Sequence, residues 1–347
     1  MIANLMPIQL YLQAKFNRYV AIHANHSMLP AFKVDCHLPP SDWVHPALVS
    51  CTSDGEPLSV PYIDIFTDGS KSAGNTGCAF VAMEAQSQLI LKQERLRLAD
   101  WCSNNQAEML AILAAVTWLT TLVLPHDKQS AVIHTDSQAS LQMLDSHKVR
   151  LLNVKEVRRL TFALRADNWR VSFKWVKAHS GNFGNELADQ LAKDASADNS
   201  LLSAFDLVPV SKVEAVDRDV AVVKWDEQWQ NTPNAAHTRK FFPRVTDRLK
   251  APLHMSYKMT QALSNHGKHA AYLHRFGIQP SPDCSCGGIQ DWEHLIFHCS
   301  NLEPQRSRLI RKITLSGGNW PAPYDSLISH FLSEFEICVN SLDFESF

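Results

Sequence analysis

Four acidic residues stand where predicted strands end or predicted helices begin, and carboxylates are ligands for divalent cations. Asp68 and Asp136 end the strand-like runs YIDIFTD and SAVIHTD, and Glu108 and Asp189 lie in two helix patterns. If the two strands are parallel neighbours, their carboxyl ends place Asp68 beside Asp136. Carboxylates gathered in this way repel one another unless cations neutralise them, and oxygen ligands select Mg²⁺ or Mn²⁺. The pattern predicts a clamp of two such ions, suited to in-line displacement at phosphorus.

The elements that must position these acids follow one another in a mixed α/β order. Three strand-like runs, YIDIFTD, CAFVAME and QLILKQERLRL, are separated by turn signals and predict an antiparallel meander in which Asp68 closes the first strand and Gly69 turns the chain. A helix follows, with apolar residues at helical spacing from Ala107 to Leu122 and a capping box of Ser103 and Gln106. Two further strands, SAVIHTD and RVSFKWVKA, alternate with helices. The order predicts a mixed five-stranded sheet flanked by helices.

The motifs TDGS, NNQAE, TDSQ and KAHSG with a following NELAD, in this order, resemble the type 1 ribonuclease H family. The resemblance covers about residues 60–200 and implies an α/β, ribonuclease H-like fold. It implies that the metal-binding carboxylates are Asp68, Glu108, Asp136 and Asp189. Asp68 is the residue expected to bridge both ions.

The resemblance also assigns a role to the loop between the fifth strand and the last helix. His179 in KAHSG is implied to move a proton or to help release product, which suits a side chain that titrates near neutrality. Gly181 and Gly184 are interpreted as giving that loop its freedom.

Five polar residues match positions where the family contacts its substrate. Asn104, Asn105 and Gln138 are implied to contact the minor groove of the hybrid, where 2′-hydroxyls distinguish RNA from DNA. Helix capping is a second explanation for the two asparagines, and both can hold together. Ser70 and Ser137 are candidates for contacting phosphate or orienting the carboxylates.

The reaction that the resemblance implies is hydrolysis of the RNA strand of an RNA·DNA hybrid, leaving a 3′-hydroxyl and a 5′-phosphate. The partner is thus a nucleic acid, with no small-molecule substrate and no membrane. One alternative is a nucleic-acid-binding remnant of the same fold without turnover. Another is DNA strand transfer or exonuclease activity, against which the RNA-selective contacts argue.

A local basic run contrasts with the net charge of −2 for the whole chain. Between Lys148 and Lys177, nine Lys or Arg stand against two acids, a net charge of +7. Such a run is either a solvated helix face or a phosphate-facing surface. The resemblance to the ribonuclease H family implies that this basic run lies where the family binds the DNA strand.

A cluster of metal-ligand residues lies far downstream, at 284–299. Its spacing is C-x-C-x7-H-x4-C, from Cys284, Cys286, His294 and Cys299, which suits a closed tetrahedral Zn²⁺ site. His298 is a rival ligand, four residues beyond His294. The alternative is a set of reduced cysteines in a packed helical segment.

The same stretch resembles the region after the ribonuclease H domain in the large open reading frame of invertebrate non-LTR retrotransposons, where an HG…YLHRFG segment leads into a Cys-Cys-His-Cys knuckle. Residues 1–60 look like the tail of such a protein's reverse-transcriptase region. The chain has no adjacent Asp-Asp pair, the catalytic signature of a reverse transcriptase. We expect the C-terminal part, or a separated descendant, of such a polyprotein.

Length and composition complete these expectations. With 347 residues, 45% of them hydrophobic, the chain is long enough for about two domains. We expect a helical lead-in and connector at 1–60, a ribonuclease H domain at 61–200, and a helical extension with the zinc knuckle at 201–347. Scattered cysteines and the lack of a secretory signal predict an intracellular protein, in the nucleus or cytoplasm. The uncharged run Met109–Leu124 is interpreted as a core helix.

Overall fold

The computed structural model describes residues 5–23, 33–35, 37–43, 61–72, 74–148, 150–178 and 181–343. The chain divides into two compact units. The first, called here the sheet unit, is Ala14–Asp217, and the second, the C-terminal unit, is Arg218–Phe347 with Met1–Gln13. The domain boundaries at residues 60 and 200 remain predictions.

The sheet unit is built on one mixed sheet. Its strands are β1 (Ile63–Ser72), β2 (Asn75–Glu84), β3 (Ile90–Leu98), β4 (Ser130–Thr135), β5 (Arg170–Trp175) and β6 (Ser203–Phe205). Their order is β5-β4-β1-β2-β3-β6, with an antiparallel β1–β2–β3 meander and with β4 and β5 parallel to β1. The predicted mixed sheet, with the first and fourth strands as parallel neighbours, is confirmed.

The sequence predicts five strands, and the described residues contain a sixth. β6 has three residues and pairs parallel to β3 at the sheet edge. A segment this short cannot show the alternation of apolar and polar residues that marks a strand in a sequence.

The first strand also differs from its prediction. β1 does not close at Asp68 or turn at Gly69; it continues to Ser72. The pairing of β1 with its parallel partner β4 ends one residue before Asp68, because the last β1–β4 pair is Thr67 with Thr135. Asp68 therefore lies where the parallel pairing ends, not where its own strand ends.

Helices cover both faces of the sheet. The α-helices that lie wholly within the sheet unit are α2 (Asn104–Leu119), α3 (Gln138–Asp145), α4 (Leu152–Ala166) and α5 (Phe183–Ala197). Helix α1 (Ile8–His23) begins in the residues assigned to the C-terminal unit and ends in the sheet unit. The predicted capping box is present, since the Ser103 side chain accepts from the Gln106 amide and the Gln106 side chain accepts from the Ser103 amide. The helix that it starts ends at Leu119, before the apolar pattern does.

Alternate side chains of β1 face opposite sides of the sheet, one covered by α2 and α4 and the other by α5. Ile63 and Ile65 pack in the core cluster that includes residues of α2 and α4, whereas Phe66 packs with Ala188 of α5. Because successive strand residues point to opposite faces, Asp68 shares the α5 face with Phe66.

The C-terminal unit is helical, as the sequence predicts. Its helices are α6 (Val210–Asn231), which begins in the sheet unit, α7 (Ala236–Phe241), α8 (Val245–Lys250), α9 (Tyr257–Ser264), α10 (Ala270–Arg275), α11 (Glu303–Leu315), α12 (Tyr324–Ser329) and α13 (Leu332–Ser341). A π-helical turn spans His294–His298. The core of the C-terminal unit is rich in large apolar side chains, among them the fully buried Trp292. Among the described helices, none is long and apolar enough to cross a membrane.

Candidate active site

Three of the predicted carboxylates converge at the end of the β1–β4 pairing. Asp68, Glu108 and Asp136 each offer an oxygen, and these oxygens lie within 4.8 Å of one another. Asp189 lines the same cavity, which has a volume of about 340 Å³. The fold thus brings together four acids that are up to 121 positions apart in the sequence.

Glu108 reaches Asp68 because Gly69 has no side chain. A Cβ on Gly69 would lie 2.7 Å from the backbone nitrogen of Glu108 and 3.1 Å from the backbone carbon of Ala107. No side chain fits in that space, so the glycine allows the start of α2 to rest against β1. The Asp-Gly pair, interpreted from sequence as a turn, is a point of close approach between a strand and a helix.

Asp136 is held at the tip of β4 by its neighbours. Trp175 donates from Nε1 to the backbone oxygen of Asp136 at 3.1 Å. The hydroxyl of Thr135 accepts from the Ser137 amide at 3.2 Å, and the Ser137 hydroxyl in turn accepts from the Ser140 amide at 3.2 Å as the cap of α3. These bonds fix the strand-to-helix turn on which the carboxylate sits.

Asp189 is brought to the cavity by a helix that lies very close to the sheet. Gly184 belongs to α5, and a Cβ there would lie 2.2 Å from the ring of Phe66. Gly184 therefore allows close packing of α5 on the sheet. The interpretation from sequence, that Gly184 gives freedom to the loop before α5, is wrong. Gly181 has a φ of +80° in open space, which suits a loop glycine. Asp189 also pairs with Lys193 at 2.7 Å.

Burial and mutual repulsion dominate the electrostatics of the site. Burial, then the charges of Asp136 and Asp189, raise the pKa of Asp68 to about 7. Burial, then the charges of Asp68 and Asp136, hold the pKa of Glu108 well above its ordinary range. Oε2 of Glu108 is buried without a hydrogen-bond partner. A cation in the cavity would favour the ionised forms, and Oε2 of Glu108 could coordinate it.

The five predicted substrate-contacting residues occupy different positions relative to the cavity. Asn104 and Ser137 line it, and Asn104 donates from Nδ2 to Oε1 of Glu108 at 3.4 Å. Asn105 and Gln138 are exposed at the starts of α2 and α3. Ser70 lies on β1 opposite Gly77 and is not among the residues that line the cavity.

One predicted residue lies outside the described ranges, and one cavity residue escaped prediction. His179 is not among the described residues. Asn185 lines the cavity, is buried, and has an Oδ1 atom without a hydrogen-bond partner. Its signal in the sequence is its place in NELAD, four residues before Asp189 and thus on the same face of a helix.

The basic run is only partly available to a phosphate backbone. Arg158 is fully buried and donates to the backbone oxygens of Met143, Leu144 and Ser146, so it closes the end of α3. Arg159 makes bidentate hydrogen bonds with Glu156. The exposed members of the run are Lys148, Arg150, Arg159, Arg170, Lys174 and Lys177.

The C-terminal unit contains the second predicted metal-binding group. Cys284, Cys286, His294 and Cys299 offer atoms within 4.8 Å of one another, and Sγ of Cys286 lies 3.1 Å from Nε2 of His294. The rival His298 is not part of this group.

The chain around this group is shaped to enclose an ion. Gly287 has a φ of +97°, and the Cys284 amide donates to the Gly288 backbone oxygen at 2.7 Å. A Cβ on Gly288 would lie 2.7 Å from the imidazole of His294. Three thiol groups and one imidazole in a closed turn form a donor set that fits Zn²⁺.

Known proteins resemble this chain over the part that contains the sheet. Residues 61–197 match the family model described as RNase H. The chain is 33% identical over 146 residues to a ribonuclease H of Pectobacterium atrosepticum, covering 39% of this chain and 90% of that protein. It is 29% identical over 103 residues to a retrovirus-related Pol polyprotein from a type-1 retrotransposable element R1 of Nasonia vitripennis, covering 28% of this chain and 24% of that protein. A solved N-terminal RNase H domain of Rv2228c from Mycobacterium tuberculosis, fused to maltose-binding protein, matches at 23% identity and a TM-score of 0.32, covering 40% of this chain and 95% of that one.

Proposed function

The chain belongs to the ribonuclease H family, and from that premise we propose that it hydrolyses the RNA strand of RNA·DNA hybrids. The observation that carries the proposal is the convergence of Asp68, Glu108 and Asp136 within 4.8 Å, with Asp189 on the same cavity. The relatives named ribonuclease H support ribonuclease H activity at the level of the family.

The cofactor in this proposal is a pair of Mg²⁺ or Mn²⁺ ions. The four acids provide oxygen donors alone, and the buried Oε2 of Glu108 has no hydrogen-bond partner. Asp68 would hold both ions, and Glu108, Asp136 and Asp189 would complete their ligand set. When bound, such ions activate the attacking water and stabilise the leaving oxygen.

The residues of the chain would orient the reaction in the following way. The water oxygen attacks the scissile phosphorus and the bond from phosphorus to the 3′ oxygen breaks, leaving a 5′-phosphate and a 3′-hydroxyl. The carboxylates would hold the ions that position the phosphate, and Asn185 borders the same cavity. His179 would carry a proton or assist product release, a role suited to an imidazole that titrates near neutrality.

Selectivity for a hybrid would come from contacts outside the carboxylates. Asn104, Asn105 and Gln138 would contact the minor groove, where the 2′-hydroxyl marks the RNA strand. Ser70 and Ser137 would contact phosphate or orient the carboxylates. The exposed part of the basic run would bind the DNA strand by charge, with little dependence on base sequence.

We further propose a structural Zn²⁺ at the C-terminal group and an origin in a retrotransposon. The donor set and closed turn at Cys284, Cys286, His294 and Cys299 support the zinc site. The match to a type-1 retrotransposable element supports the origin. Hybrids form inside cells, so the proposed compartment is the nucleus or the cytoplasm.

The test is cleavage of a 5′-labelled RNA strand annealed to DNA, in Mg²⁺. Wild-type protein is compared with Asp136→Asn, which keeps the size of the side chain and removes its charge. Single-stranded RNA and duplex RNA serve as substrate controls. We expect cleavage of the hybrid alone, lost in the variant by a factor of about 100 or more.

The opposite result has a definite meaning. Binding of hybrid by the wild type without cleavage, in Mn²⁺ as well as Mg²⁺, would identify the chain as a nucleic-acid-binding remnant of this fold. Cleavage unaffected by Asp136→Asn would remove the carboxylates from the proposed chemistry.

A further inference from the structure

A row of rings in tilted contact lies on the surface of the C-terminal unit, close in sequence to the Cys/His group. Ring centroids of His266 and Tyr272 are 5.2 Å apart, and those of Tyr272 and Phe276 are 5.1 Å apart. The guanidinium of Arg275 stands over the Phe276 ring at 5.9 Å. These four residues are called here the ring ladder.

The ring ladder is open to solvent where a ligand would meet it. Phe276 is 58% exposed and its neighbour Ile278 is 67% exposed. His266 and Arg275 are exposed as well, and Tyr272 is half-buried. Phe276 contacts the Tyr272 ring but is not part of the core of this unit, which is formed by other residues.

The base of the ladder is fixed to the Cys/His turn by hydrogen bonds. Trp292, fully buried, donates from Nε1 to the backbone oxygen of His266 at 3.0 Å. His269 is buried and its Nδ1 lies 2.9 Å from the backbone oxygen of Gln290. The backbone that carries the rings is therefore held in place before any ligand binds, which reduces the entropy lost on binding.

The charged side chains within the ladder's own segment, 266–276, are the exposed Lys268 and Arg275. The nearest acids along the chain, Asp283 and Asp291, accept hydrogen bonds from the Ser281 hydroxyl and the His294 amide. Exposed rings beside exposed cations suit a ligand that has both flat faces and negative charge. An acidic or apolar peptide would satisfy only one of these features at a time.

We propose that the ring ladder binds single-stranded nucleic acid, with a base stacked on Phe276 and a phosphate against Arg275. Every base has a π face, so this mode of binding tolerates any sequence. A base in a duplex already stacks on its neighbours, so the ladder favours a single strand. The proposal concerns a surface separate from the carboxylate cavity and does not depend on catalysis there.

The experiment measures binding of fluorescein-labelled oligo(dT) and oligo(rU) to the full-length protein by fluorescence anisotropy, at several salt concentrations. We expect Phe276→Ala to weaken binding about 5- to 30-fold and Phe276→Trp to restore it. Arg275→Gln should reduce the slope of log affinity against log salt by about 0.7. The dT and rU arms show whether DNA, RNA or both are bound.

Matched controls separate stacking from other causes. Tyr257 is 65% exposed in the same unit outside the ladder, so Tyr257→Ala should leave binding unchanged. Arg311→Gln removes an exposed charge elsewhere in that unit and should leave the ladder's binding unchanged. Thermal melting of each variant confirms the fold, and Phe276→Ala should not alter binding to duplex DNA.

Three results would overturn the proposal. They are an absence of single-strand binding by the wild type, equal losses in Phe276→Ala and Tyr257→Ala, and an equal loss of duplex binding in Phe276→Ala. In the first case the exposed rings would be assigned to a protein partner. Hybrid cleavage is measured in parallel, and its presence or absence leaves this outcome unaffected.

Discussion

Gln106 donates a hydrogen bond from Nε2 to Oδ2 of the buried Asp35 at 2.9 Å, which joins the segment before the first strand to the start of the helix that carries Glu108. The same Nε2 donates to the backbone oxygen of Leu207 at 3.3 Å. The Asp35 amide donates to the backbone oxygen of Val208 at 2.8 Å. A segment before β1 and a segment after β6 thus hold the beginning of α2.

The first prediction concerns Asp35. Asp35→Ala removes a buried acceptor from Gln106 and should lower the free energy of unfolding by about 1–3 kcal/mol. Asp35→Asn keeps an acceptor, and because burial raises the pKa of Asp35 it also removes the cost of a buried charge. Asp35→Asn should therefore lower the free energy of unfolding by less than Asp35→Ala does. Urea denaturation of both variants checks this, and equal losses would show that the hydrogen bond is not what matters.

The second prediction concerns pH and the carboxylate cavity. The pKa of Asp68 is raised from 3.8 to about 7, so the folded chain keeps a proton that the unfolded chain releases. Without added Mg²⁺, the free energy of unfolding should fall as pH rises from about 4 to about 7, by about 3 kcal/mol, since one pKa unit corresponds to about 1.4 kcal/mol. The raised pKa of Glu108 acts in the same direction.

Chemical denaturation across this pH range, with and without Mg²⁺, provides the measurement. Added Mg²⁺ should restore stability near neutral pH, and Asp68→Asn should flatten the pH dependence. The exposed Asp167, changed to Asn, is the matched control and should leave the slope intact. A slope that is the same in Asp68→Asn as in the wild type would contradict the assignment.

The third prediction concerns the packing of α5 on the sheet. A Cβ at Gly184 would lie 2.2 Å from Phe66, so Gly184→Ala should destabilise the protein by about 1–3 kcal/mol, although alanine favours helix more than glycine does. The shift of α5 should also reduce hybrid cleavage, because the helix carries Asp189. Thermal melting and the cleavage assay measure the two effects.

Two further variants identify the cause. Gly181→Ala introduces a Cβ in open space at a φ of +80°, so only backbone strain of about 1 kcal/mol is expected. Phe66→Leu in the Gly184→Ala background should recover part of the lost stability. No recovery would mean that the ring of Phe66 is not the obstacle.

The fourth prediction concerns the Cys/His group. The purified protein should contain one zinc ion per chain, measured by elemental analysis, and Cys286→Ser should lose most of it. Because a structural zinc ion contributes folding free energy, this variant should melt earlier, by about 2–4 °C for each kcal/mol lost. His298→Ala should keep its zinc, since His298 lies outside the group. Zinc loss in His298→Ala but not in His294→Ala would reverse the ligand assignment.

The sequence determined the parts of this protein that depend on local pattern. Alternating and helical spacing predicted the five longer strands and α2 with its capping box, because these features are encoded within a few neighbouring residues. Motif order predicted which acids belong together, and the spacing of the cysteines predicted the group at 284–299.

The tertiary structure decided what depends on contacts between distant residues. Gly69 and Gly184 resemble turn and loop glycines in the sequence, but their role is set by the α2 backbone and the Phe66 ring that approach them. The sequence predicts Arg158 to be a surface charge, but in the structure it is buried and donates to three backbone oxygens. Steric space and burial are properties of the folded neighbours of a residue, and local sequence does not contain them.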